Sequence, residues 1–167
     1  MVEYTRIMAA VDQAPTSRTV VQRAQAIAKQ CAAHLSVLHV IDQRGLVGQG
    51  RIDSPLFGVE DQPLTPDAHS VDEAAHTPQT DDHQMIDTAH GFLTTLVVNA
   101  GASDAECLVR VSASVGREIV AVARQHQIGL IVCGAYQRHG LALLLRSTAE
   151  RVVRDLPCDV LLIKLEG

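Results

Sequence analysis

Five short apolar runs, spaced by segments of helical period, restrict this chain to very few folds. The runs cover residues 5–11, 34–41, 106–111, 130–133 and 158–164. A strand that is apolar nearly throughout must be buried on both faces, and parallel sheets covered by helices provide that burial. Between the first two runs, Val20, Val21, Ala24, Ile27 and Ala28 recur at helical spacing after the start signal Pro15-Thr16-Ser17. A helix between two strands makes them parallel, because only a crossover connection has room for it. Residues 82–99 repeat the pattern with Met85, Ile86, Ala89, Phe92, Leu93, Leu96 and Val97, and stop at Asn99-Ala100-Gly101. Residues 115–125 do so with Ile119, Val120, Val122 and Ala123. A last helix opens at Ser147, with Glu150 three residues on as a capping box. The expected fold is α/β: one domain over residues 1–167, an open five-stranded, Rossmann-like parallel sheet with helices on both faces.

Residues 42–80 break every period, with Gly45, Gly48, Gly50, Pro55, Gly58, Pro63, Pro66 and Pro78 distributed through them. They are expected to form a long flexible loop or lid, mobile without a partner. A formal net charge of -5 and the lack of any long Lys/Arg run argue against nucleic acid or an anionic membrane as partner. No apolar stretch reaches the ~18 residues of a membrane span. Aromatic residues at 2% leave few platforms on which bases could stack. Cys31, Cys107, Cys133 and Cys158 are scattered, without a C-x-x-C, so each reads as a buried, reduced and inert thiol. The N-terminus enters the first strand directly, and a cytoplasmic protein is expected.

In open parallel sheets, ligands sit beyond the carboxyl ends of the strands, where strand order reverses. Asp12 closes the first strand and Gly134 the fourth. From Gly134 the chain passes through a loop containing Gly140 to a helix N-terminus at Ser147-Thr148. Such a terminus presents unpaired N–H groups and a positive dipole end to an anion. On spacing alone the weightier reading is plainer: Gly134 turns the chain and Ser147 caps a helix. His83, Asp87 and His90 share one face of the second helix at a spacing a metal could use. With eight histidines in the chain, chance accounts for that spacing, and no metal site is assigned. Neither a G-x-x-x-x-G-K-[ST] loop nor a G-x-S-x-G elbow occurs, so an enzyme is not expected.

With these residues assembled, the chain resembles the universal stress protein family over nearly its whole length. The resemblance is carried by Ile7-Met-Ala-Ala-Val-Asp12 with Pro15-Thr-Ser17, Leu35-Ser-Val-Leu-His-Val40, Gly116 with Ile119 and Ala123, Leu130-Ile-Val-Cys-Gly134, and Ser147-Thr-Ala-Glu-Arg-Val152 with Pro157-Cys-Asp-Val-Leu-Leu-Ile-Lys164. It implies strand order 3-2-1-4-5, with strands one and four side by side. The family's nucleotide motif is a glycine, two residues, a second glycine, nine residues, then glycine and Ser or Thr. Gly134 matches its first glycine and Ser147 its final hydroxyl. Gln137 stands at the second glycine, Arg146 precedes Ser147, and the spacing is one residue short. Side chains at glycine positions obstruct phosphate approach, and in this the loop resembles the non-binding branch of the family. Arg138 and Arg146 offer charge-assisted hydrogen bonds instead, and Asp12 and Val40 match positions that hold ribose and adenine in binding members.

Two readings therefore stand side by side. In the first, the chain is a non-enzymatic stress-response and interaction protein that requires no cofactor. In the second, it is a nucleotide-dependent switch, with ATP or AMP in a crevice formed by Asp12, Val40, Gly134, Arg138, Gly140, Arg146, Ser147 and Thr148. The implied strand order also puts residues 160–165, Val-Leu-Leu-Ile-Lys-Leu, at the sheet's edge, where an apolar run without proline invites pairing with its own copy. A homodimer through that strand is expected on both readings.

Overall fold

The structure is a computed structural model, and it describes residues 4–43, 79–136, 148–155 and 157–165. In chain order these form β1 (Arg6–Val11), α1 (Ser17–Cys31), β2 (His34–Asp42), α2 (Gln79–Asn99), β3 (Glu106–Ser112), α3 (Val115–Gln125), β4 (Leu130–Tyr136), α4 (Thr148–Asp155) and β5 (Asp159–Leu165). The strands make one five-stranded sheet of order β3-β2-β1-β4-β5, parallel at every pairing.

Alternation along each strand sorts its residues between two cores, because successive side chains point to opposite faces. On one face Ile7, Ala9, Leu35, Val37, Val109, Leu130 and Val132 pack with Val20, Val21 and Ala24 of α1 and with Leu93 and Val97 of α2. On the other, Met8, Ala10, Leu38, Val40, Leu108, Ile131 and Cys133 pack with Ile119, Val120 and Val122 of α3 and Val152 of α4. Ile7, Met8, Ala9, Ile131 and Val132 are wholly buried, which is why β1 and β4 read as unbroken apolar runs. The stop signal after α2 is used as the sequence suggests: Gly101 takes φ 72°. Its own N–H reaches Val98 O at 3.1 Å, and the Ala102 N–H reaches Val97 O at 2.8 Å.

Three sequence expectations are corrected. β4 does not end at Gly134 but runs to Tyr136, because β5 keeps pairing with it through Gly134↔Ile163 and Tyr136↔Leu165. The irregular 42–80 segment is shorter than expected at both ends: Asp42 pairs with Ser112 in the sheet, and α2 begins at Gln79. Its remaining residues lie outside the described part of the chain. Of the four cysteines only Cys133 is buried; Cys31, Cys107 and Cys158 are half-buried, since they stand near element ends or on the edge strand β3.

Candidate functional site

β1 pairs with β4 from Ile7↔Leu130 to Ala10↔Cys133. Beyond that point β1 continues along β2 to Val11↔His39, while β4 continues along β5 to Tyr136↔Leu165. The sheet thus parts at its switch point, and a crevice of about 230 Å³ opens between the two halves. Asp12, Val40, Gly134 and Thr148, four of the residues singled out in the sequence, line it together. Arg138, Gly140, Arg146 and Ser147 lie outside the described residues.

Asp12 is exposed but held in place. Its Oδ1 accepts the Ala14 N–H at 3.0 Å and the Ser17 hydroxyl at 2.7 Å, and Ser17 Oγ also lies 2.9 Å from Asp12 O. Ser17, 2% exposed, sits in the first turn of α1. Its hydroxyl anchors a carboxylate five residues back. The sequence marks Ser17 only as part of a helix start; the signal for its role is a hydroxyl at the first position of a helix whose preceding loop carries an acid.

His39 was missed as well. It is 7% exposed, with Nδ1 3.0 Å from Val11 O. A carbonyl oxygen only accepts, so Nδ1 carries the proton and donates it. The ring meets Phe92 edge-on, with centroids 5.9 Å apart, which ties the end of β1 through β2 to α2. On the α2 side of Val40 lies a larger recess of about 610 Å³, whose walls include Gln13, His39, Asp42, Gln84 and Thr88.

Gly134 has a packing reason to be glycine. A Cβ there would collide with the side chain of Leu165 and meet Val20 Cγ2 at 3.4 Å. Leu165, the last residue of β5 and 5% exposed, occupies the space that a side chain at 134 would need. Among the described glycines only Gly101 has positive φ, so Gly134 does not turn the chain. Its neighbour Cys133 faces the crevice at 6% exposure, and burial pushes its thiol up to about 11. His83, Asp87 and His90 are exposed on α2, and among the described residues no group of three or more His, Cys, Asp or Glu is placed to hold a metal ion.

Among the described residues the crevice combines an anchored carboxylate with walls that are mainly aliphatic, a chemistry suited to gripping a hydroxyl group. Comparison with known sequences decides the family, since residues 3–164 match the universal stress protein family. The chain belongs to that family. Universal stress protein A homolog 1 of Coxiella burnetii is 27% identical over 161 residues, spanning 96% of each chain. The universal stress protein UspA from Lactobacillus plantarum is 24% identical, covers 98% of this chain and 99% of its own, and superposes with a TM-score of 0.58. A universal stress protein solved in complex with cAMP is 18% identical, covers 97% of this chain and 98% of its own, and also has a TM-score of 0.58. In this universal stress protein no helix among the described residues is long and apolar enough to cross a membrane.

Proposed function

We propose that this universal stress protein works by association rather than by chemistry of its own, as a cytoplasmic homodimer joined along β5, with no cofactor required. The observation that carries this reading is the β5 edge. Leu162 is 44% exposed in mid-strand, Val160, Leu161 and Ile163 are only partly covered, and Lys164 is the one charge between Val160 and Leu165. An edge strand offers unpaired N–H and C=O groups, and a second copy about a two-fold axis satisfies them while covering the apolar side chains. The crevice agrees with a protein that needs no ligand: about 230 Å³ falls below the ~300–1,000 Å³ of small-molecule pockets, and Leu165 fills the side of Gly134. Four unpaired thiols fit a reducing compartment.

A second reading, nucleotide binding, has an observation of its own. Asp12 is pre-positioned by Ser17, and Val40 stands between the crevice and the larger recess, so a ribose at Asp12 and a base against Val40 would use both spaces. The relative solved with cAMP shows that one member of the fold takes such a ligand. Mass analysis of small molecules released from denatured, freshly purified protein separates the two. The first reading expects no nucleotide near one per chain. AMP or ATP at that stoichiometry would replace it with the second.

A further inference from the structure

α3 and α4 form one wall of the crevice, with Val115 and Ile119 from the former and Thr148, Ala149 and Val152 from the latter. The two helices approach closely at Gly116. A Cβ on Gly116 would stand 2.7 Å from Arg151 Cβ, 2.8 Å from Arg151 Cγ and 3.5 Å from Thr148 O. The nearest obstruction is thus the root of the Arg151 side chain, which cannot swing aside as a flexible tip would. The far end is tethered too, since Arg151 Nε donates to Asp155 Oδ2 at 3.2 Å within α4. Bulk at 116 would therefore have to displace α4 as a unit, and the first turn of α4 carries Thr148 and Ala149. Glycine near the start of a helix is otherwise a poor choice. Gly91 in α2 shows the contrast, with nothing within 4 Å of its missing Cβ.

We propose that Gly116 is the positioning residue of the crevice: its absent side chain lets α4 stand against α3 and holds the opening beside Cys133 and Gly134 to its present width. The geometric role stands on the packing alone; on the second reading above, in which the crevice takes a ligand, it also names what limits the size of the ligand admitted there.

The folded full-length protein is treated with N-ethylmaleimide, and the modified thiol is located by peptide mass analysis. Cys133 reports on the crevice from inside it. Gly116→Ala should alkylate Cys133 about tenfold faster, the scale expected when one methyl overpacks a tight contact, with Cys31 and Cys107 unchanged; Cys158 packs in the same cluster as α4 and is no reference. Adding Arg151→Gly removes both clashing atoms and should return Cys133 to near its native rate. An unchanged Cys133 rate in Gly116→Ala, or equal acceleration at Cys31 and Cys107, overturns the proposal. If Gly116→Ala yields no folded protein, recovery of folded protein in the double variant supports the clash, and failure there overturns it. Calorimetric titration of the native protein with AMP is scored separately. Absence of binding there, together with selective opening at Cys133, sinks the nucleotide reading alone and leaves the role of Gly116 standing.

Discussion

The two edges of the sheet are built differently. β3, at one edge, buries Leu108 and Val109 at 8% exposure each, between helices α2 and α3. It carries Glu106 and Arg110, and the Arg110 guanidinium donates to Val109 O at 3.0 Å, occupying a carbonyl of the edge strand. β5, at the other edge, buries only Leu165 and leaves Leu162 open; the helix packed on it, α4, is 8 residues long. β5 also carries Asp159 and Lys164, but between them Val160 to Ile163 is an uncharged aliphatic run; a folded-back arginine blunts an edge, whereas such a run invites a partner. The half of the molecule made of β4, β5 and α4 is thus the less finished of the two. It also supplies Gly134, Thr148 and Leu165 to the crevice. The proposed dimer edge and the crevice would thus share that half.

The largest effect is expected at Gly134. Gly134→Ala forces Leu165 out of its seat and should destabilise the fold by roughly 2–3 kcal/mol through overpacking. Loss of amide protection should spread along β5 before it reaches β3. Equal loss at both edges, measured by hydrogen exchange, would mean that β5 is no looser than β3.

A smaller effect lies at the seam between the halves. The Cys133 thiol titrates near 11 in the fold, against an ordinary value of 9.0. Above the ordinary value the unfolded chain loses the proton that the folded chain keeps, so its contribution is intact below about pH 9 and is lost as pH rises toward 11. Denaturant melts should lose on the order of 2 kcal/mol over that window, below the full ~1.4 kcal/mol per unit because the thiol is not wholly sealed from solvent. Cys133→Ala should flatten the loss, and a slope unchanged by that substitution would place its cause elsewhere.

Ser17→Ala removes the hydroxyl that holds Asp12 and should cost about 1 kcal/mol, discounted because the carboxylate is exposed. On the nucleotide reading it also weakens AMP binding, which calorimetry would register. Smallest of all is Arg110→Ala at the β3 edge. It should change stability within about 0.5 kcal/mol and leave the mass in solution as it was. A new, larger species appearing with that substitution would show that β3 is an edge held back only by its arginine.

Much of this was legible in the chain. α3 spans the residues its periodicity marks, and β1 and β2 lie within a residue of their apolar runs, because both faces of those strands are buried and the pattern is unbroken. Asp12 and Gly134, singled out by the rule that ligands gather at carboxyl ends, do line one crevice. The end of β4 was not legible. Gly134 looks like a terminator, yet the pairing that carries the strand past it comes from β5, some thirty residues away, a non-local contact no window reveals. Ser17 and His39 were missed for a similar reason, since each acts on the end of β1 from a neighbouring element. The half-buried thiols of Cys107 and Cys158 show the reverse error: an apolar run predicts a strand, but not whether the strand's neighbour covers it.

The central claim is that β5 joins two copies, and molar mass tests it most directly. Light scattering coupled to size exclusion at low micromolar concentration should report about twice the 17.9 kDa chain mass. Adjacent strand residues point their N–H groups to opposite edges, so one of Leu162→Pro and Ile163→Pro must remove an intermolecular donor and shift the mass toward a single chain. A native protein of one chain mass, or a dimer that keeps its mass in both folded proline variants, would contradict the account.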